Sequence, residues 1–172
     1  MNVKGIEHVG ITVPHIEAAE RFFHEAFGAE TLYALIERGD DGQDGAEMHA
    51  KNGLEPGTRI VAMRMMRLAN GANIELFEVE GAHGEVADGP SRYGLHHIAV
   101  YVDDLDEAAA RFEAAGGTML DGPIELGGAE RGEGNRCWFG TAPWGMPIEL
   151  IYLPSPLALD DEARSGPRWL PG

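Results

Sequence analysis

The chain of 172 residues has a single cysteine, Cys137, so an internal disulfide is excluded and the composition suits a reducing cytoplasm. Long hydrophobic runs are missing as well. No stretch of about 18 apolar residues occurs, which excludes a transmembrane helix. Positive charge is scarce: 13 Lys and Arg stand against 29 Asp and Glu, for a formal net charge of −16. Nucleic acid and anionic membrane surfaces would both be repelled, so neither is expected as a partner. Small anionic substrates are disfavoured less, because a local Arg cluster or a bound cation reverses the sign of one pocket. The opening MNVKGIEHVG lacks the charged, apolar, then small layout of a signal peptide, and a cytoplasmic location is expected. What is present, a hydrophobic fraction of 44%, allows one compact domain or two small halves sharing a core.

The chain repeats itself. Placing His8 on His97, an offset of 89 (97 − 8), keeps later landmarks in step: Ile16 on Leu105, Phe23 on Phe112 and Gly28 on Gly117. Each half opens on an alternating run, IEHVGITV or HHIAVYV. Val9, Ile11 and Val13 share one face against His8, Gly10 and Thr12; Ile98, Val100 and Val102 oppose His97, Ala99 and Tyr101. A helix follows, with apolar residues at helical spacing (Ile16, Ala19, Phe23, Phe27; Leu105, Ala108, Phe112, Ala115). Asp103 or Asp104 is a candidate N-cap, and Gly28 and Gly116–Gly117 are candidate stops. The β-branched faces then pack on the helices, leaving the histidines facing elsewhere.

Both halves also close alike, GANIELFEV and GMPIELIYL. A charged residue within an apolar strand is costly to bury unless it is paired or metal-bound. Here the cost recurs at matched positions, Glu75 and Glu149, so His8, Glu75, His97 and Glu149 are the candidate metal ligands. AETLYALIE and TRIVAMRMMRL supply further strands in the first half, GTML and RCWFGTA in the second. The expected order in each half is β-α-β-β-β, an α+β fold. Residues 1–80 form the first module, 81–92 a linker, 93–153 the second module and 154–172 an irregular tail. RGDDGQDGAEMHAKNGLEPG is expected to be a long loop or lid over one end of the site, and LGGAERGEGNR a flexible loop bordering it.

These residues, with His on the first strand and Glu on the last of two β-α-β-β-β modules, resemble the vicinal oxygen chelate superfamily. It includes glyoxalase I, methylmalonyl-CoA epimerase, extradiol dioxygenases and bleomycin and fosfomycin resistance proteins. The resemblance covers roughly residues 5–153. It implies that the modules pair their sheets into an open, curved trough around a metal held by His8, Glu75, His97 and Glu149. It also implies a homodimer. GLHHIA and the GEGNRCWF…GMPIEL ending look most like the epimerase branch. In one respect the chain departs from that branch: RIVAMRMMRL holds no Asp or Glu, where the epimerases carry an acidic residue for proton transfer.

Two imidazoles and two carboxylates suit divalent Zn, Fe, Mn, Co or Ni. Such a cation, gripping two adjacent oxygens of a small-molecule substrate, would act as a Lewis acid. Glu149 is the first candidate for moving the proton, Glu75 the second. The expected function is a metal-dependent lyase or isomerase (epimerase) of glyoxalase-like type. An extradiol-type dioxygenase and a non-catalytic binding or resistance protein are the alternatives. His96 is expected to face the helix side or solvent, and His15, His24, His49 and His83 to be solvated. Tyr101, Phe77 and Trp144 are candidate pocket lining, Trp144 equally a turn residue. Arg64 and Arg67 either meet an anionic substrate or face water.

Overall fold

Alternation in β1 (His8–Val13) sorts the strand into two faces: Ile11 and Val13 are buried, whereas Gly10 and Thr12 are exposed. The computed structural model describes residues 6–84, 90–91 and 93–157. After β1 come α1 (Ile16–Phe27), β2 (Glu30–Ile36), β3 (Gln43–Asp44), α2 (Gly45–Asn52), β4 (Arg59–Arg67) and β5 (Asn73–Glu80). The second half runs β6 (Ile98–Tyr101), α3 (Leu105–Ala114), β7 (Thr118–Met119), β8 (Ile124–Glu125), a 3-10 turn at Gly128–Glu130, β9 (Arg136–Thr141) and β10 (Pro147–Tyr152). Among the described residues no helix is long and apolar enough to cross a membrane.

The two sheets share one topology. Strand order is β1-β5-β4-β2 with β3 beside β4, and β6-β10-β9-β7 with β8 beside β9. In each, the first strand lies parallel to the last, and the remaining pairs are antiparallel. The chain is thus α+β with two modules, and by contact it divides into Met1–Glu85 and Val86–Gly172. Of the segment expected as a linker, residues 85–89 and 92 lie outside the described residues, as does the tail from 158 onward.

Each helix covers the β-branched face of its own sheet, as the alternation requires. Ile16, Ala19, Phe22, Phe23 and Ala26 of α1 are buried, and Leu76 and Met66, on that same sheet face, are fully buried. Burying one Phe side chain contributes about 2–3 kcal/mol. Phe22 therefore belongs to the core stripe, and Phe27 sits half-buried at its rim. In α3 the stripe is Leu105, Ala109 and Phe112. Ala109, not Ala108, is the buried alanine.

Caps follow the sequence in part. Asp104 accepts from the Glu107 N–H at 2.9 Å, as an N-cap should. Gly28, at φ 67°, ends α1 in the left-handed region. At the end of α3 the two glycines divide the work. Gly116, at φ 98°, makes the turn, whereas a Cβ on Gly117 would lie 2.2 Å from the Phe112 ring. The second glycine is there to let that ring lie against the backbone.

α1 has no side-chain cap of its own; its first N–H, on Ile16, donates to Glu78 of β5 at 2.9 Å. The Glu78 carboxylate also takes two Arg38 hydrogen bonds, both 2.6 Å. A buried carboxylate thereby fastens helix to sheet. The segment expected as a long loop is instead ordered. Asp44 accepts from the Ala46 N–H at 2.8 Å to start α2, and Gly53 at φ 82° ends it. Glycine-rich composition concealed a short helix with good caps. Likewise, LGGAERGEGNR, expected as loop, holds a 3-10 turn at Gly128–Glu130.

Glu78→Ala removes the cap and the Arg38 partner together and should destabilise the fold by about 2 kcal/mol, with Glu78→Gln losing less. Urea unfolding followed by far-UV circular dichroism measures both. Equal stability of Glu78→Ala and wild type would refute the fastening.

Candidate functional site

The sheet face turned away from α1 carries His8, Gly10 and Thr12 on β1, beside Asn73, Glu75 and Phe77 on β5. Register sets Glu75 between Gly10 on one side and Met65 of β4 on the other. Glu75 is only 8% exposed. Its Oε2 lies 3.3 Å from Nε2 of His8. A Cβ on Gly10 would meet the Phe77 ring at 3.2 Å, so the missing side chain lets that ring lie across the strand next to the pair.

The second module repeats the arrangement. Glu149 lies between Ala99 of β6 and Phe139 of β9, with its Oε2 3.4 Å from Nε2 of His97. Phe139 meets the His97 ring edge to face, centroids 5.4 Å apart. Offset and register therefore agree. Each module brings together one imidazole and one carboxylate on its open face, through the same two atoms.

These gaps are informative. A charge-assisted hydrogen bond between nitrogen and a carboxylate closes to about 2.7–2.9 Å. Two donors sharing a tetrahedral ion at bond lengths of about 2.05 Å stand about 3.3 Å apart. Both pairs match the second spacing, and the donor chemistry of imidazole nitrogen and carboxylate oxygen suits borderline divalent ions. Among the described residues, no three or more His, Cys, Asp or Glu side chains gather in a metal-holding cluster. Each pair by itself would supply two ligands of a four-coordinate ion.

The opposite ring nitrogens are engaged too. His8 Nδ1 bonds the Glu7 carboxylate, which raises the His8 pKa above the usual imidazole range and lowers that of Glu7. His97 Nδ1 lies 2.7 Å from Nδ1 of His96. His96, expected to face the helix side or solvent, instead packs against His97 with centroids 4.6 Å apart and ring planes tilted by 47°. In the sequence Glu7 is passed over and His96 is set aside as facing away from the site. A signal was available, since they too lie 89 residues apart (96 − 7).

Cys137 shares the open face of the second sheet with Phe139, Glu149 and Ile151. It is 4% exposed. Burial pushes its thiol up to about 12, helped by the neighbouring Glu149 carboxylate. Its counterpart by register in the first sheet is Met63, opposite Phe77 as Cys137 is opposite Ile151.

Other candidates fall outside the pairs. Arg64 lies on the helix-facing side, 9% exposed, held by Glu37 and by the Ile36 and Met63 carbonyls. Arg67 is exposed and pairs with Glu30. Trp144 sits in the hairpin turn in which Gly145 N–H bonds the Ala142 carbonyl at 2.8 Å. His49 caps its own segment, 3.2 Å from the Leu54 carbonyl. Leu54 packs, as Phe77 and Val79 do, against the buried cluster of Ile36, Ile60 and Met63, so the inserted β3–α2 segment covers one end of the face that carries Glu75.

The family model described as the glyoxalase/bleomycin resistance protein/dioxygenase superfamily matches residues 7–134. That span takes in His8, Glu75 and His97 and stops short of Glu149. A 2-epi-5-epi-valiolone epimerase from Actinomyces sp. is 35% identical over 161 residues, covering 87% of this chain and 80% of that protein. Among solved structures, a glyoxalase family protein from Bacillus cereus superposes with a TM-score of 0.68 at 18% identity, covering 88% of this chain and 95% of that one. One from Enterococcus faecalis gives 0.60 at 20% identity, covering 86% and 97%. At such identities these two likenesses show the fold alone.

A protonated, enclosed thiol reacts slowly with disulfide reagents. At pH 8.5 Cys137 should resist modification by 5,5′-dithiobis(2-nitrobenzoate) in the folded protein and react completely in urea. The raised thiol pKa also sets a sign: the unfolded chain loses this proton first, so stability should fall as pH rises from near 9 towards about 12. Rapid labelling of the native protein at pH 8.5 would contradict the burial.

Proposed function

The chain belongs to the glyoxalase/bleomycin resistance protein/dioxygenase superfamily, and within it we propose that it is a metal-dependent epimerase of a small hydroxylated ketone. The reading rests on one observation above the rest, the duplicated His–Glu pair with nitrogen–oxygen gaps of 3.3 and 3.4 Å. Either pair alone leaves a four-coordinate ion two ligands short. His8, Glu75, His97 and Glu149 are therefore proposed to serve one cation together. When bound, a divalent ion there (Zn, Fe, Mn, Co or Ni) supplies Lewis acidity to a carbonyl and its vicinal oxygen.

The chain's own residues divide the remaining work. Inversion at a carbon beside a ketone needs a proton taken from one face and returned to the other. β4 offers no carboxylate for this: the position opposite Glu75 is Met65. The proton work falls to Glu149 and Glu75, one from each module, with a carboxylate oxygen as the acceptor. Phe139 beside His97, and Phe77 lying across Gly10, give the pairs apolar flanks. Such flanks shield the pairs from water. Epimerisation, rather than another proton transfer, is favoured by the name of the Actinomyces relative.

The test uses 2-epi-5-epi-valiolone in deuterium oxide with metal-loaded protein. Deuterium should enter at a carbon next to the ketone, and Glu149→Gln and Glu75→Gln should each slow the exchange by about 100-fold or more. Metal analysis should find one ion per chain, lost in both His8→Ala and His97→Ala. Absence of exchange with every one of the five metals would overturn the epimerase reading. Retention of the ion in either histidine variant would overturn the shared site.

A further inference from the structure

The residue immediately before each histidine grips the same ring atom of that histidine. We infer that Glu7 and His96 are positioning residues that fix which nitrogen His8 and His97 present to the cation; this rests on the four-ligand reading above.

Neither contact is expected from strand geometry, because successive side chains point to opposite faces. Here β1 starts at His8 and β6 only at Ile98, so both contacts form at strand entries, where alternation has not begun. Glu7 is itself fastened. Its other carboxylate oxygen accepts from Asn73 Nδ2 at 3.1 Å, and its carbonyl accepts from the Asn73 N–H at 3.0 Å. A carboxylate only accepts. The proton of a neutral His8 ring must then sit on Nδ1, which leaves the Nε2 lone pair directed at Glu75, 3.3 Å away.

In the second module two imidazoles meet at Nδ1, 2.7 Å apart, so one nitrogen donates and the other accepts. Only one assignment leaves His97 Nε2 able to bind an ion: His97 Nδ1–H donates, and His96 Nδ1 accepts. The same end is reached with different chemistry. Glu7 brings a negative charge, His96 a neutral ring, and a charge-assisted bond is roughly twice as strong as a neutral one. His8 is thereby made the stronger donor of the two, and the halves of the site are unequal.

The alternative is that both contacts merely tidy the strand entries. His96→Phe separates the two, since it keeps an aromatic ring against His97 but has no acceptor; His96→Asn and Glu7→Gln keep an acceptor. Affinity for Zn²⁺ and Co²⁺ is measured by competition with a chromogenic chelator, alongside the visible spectrum of the Co²⁺ form and the melting temperature of the metal-free protein. Glu7→Ala and His96→Phe should bind about 10–100-fold more weakly, with an altered Co²⁺ spectrum and an unchanged metal-free melting temperature. Glu7→Gln and His96→Asn should recover most of the loss. Wild-type affinity in His96→Phe and Glu7→Ala, or no recovery in His96→Asn and Glu7→Gln, overturns the inference while leaving the shared metal site standing. A wild-type protein that takes up neither ion overturns both.

Discussion

A carboxylate held against a sheet out of water must be compensated, and β5 shows this constraint met in two different ways. Glu78, 9% exposed, receives the Ile16 N–H and two Arg38 hydrogen bonds. Glu75, three residues earlier and 8% exposed, faces one imidazole at 3.3 Å. Both charges cost free energy to bury. The first is fully served, and what it does is join helix to sheet. The second is left with a neighbour too distant for a strong hydrogen bond and placed as a fellow ligand would be. The same strand therefore carries two buried glutamates that differ in how completely each is satisfied.

The duplication gives this contrast its weight. One His–Glu approach could be an accident of packing, but Glu149 stands at the same spacing from His97, 3.4 Å, in a sheet of the same strand order. Parallel pairing of first and last strand is what brings each pair together. It sets Glu75 beside Gly10 and Glu149 beside Ala99, one step along the face from the histidine. Small residues at those two positions leave the side chains room to meet.

Much of this was legible before any coordinates. Period-two alternation divided β1 into helix-facing and open faces, and the offset of 89 aligned the histidines without reference to structure. The inner helix stripe was read less well, because Phe22 and Phe23 are adjacent and a strict 3.6 spacing chooses only one of them. The β3–α2 insertion was hidden by its glycines, although Asp44 and Gly53 bracket it as caps. Alternation also misled at its own boundary. It sent His96 to the far face, whereas His96 and His97 precede the strand and pack ring against ring. Asn135, part of the Gly-Asn-Arg stretch that suggested the epimerase branch, has a structural job. It is 1% exposed and ties the Glu130 carbonyl to the Ser155 N–H. Such long-range closure has no period and leaves no pattern to read.

What the duplication did not copy bears most directly on chemistry. Glu149 shares its face with a protonated thiol, Cys137, and an aromatic ring, Phe139. Glu75 has thioethers at the corresponding positions, Met63 and Met65, and a phenyl ring at Phe77 where the second sheet has Ile151. Symmetry in the backbone thus repeats one His–Glu geometry, and its loss in the side chains gives the two carboxylates different neighbours.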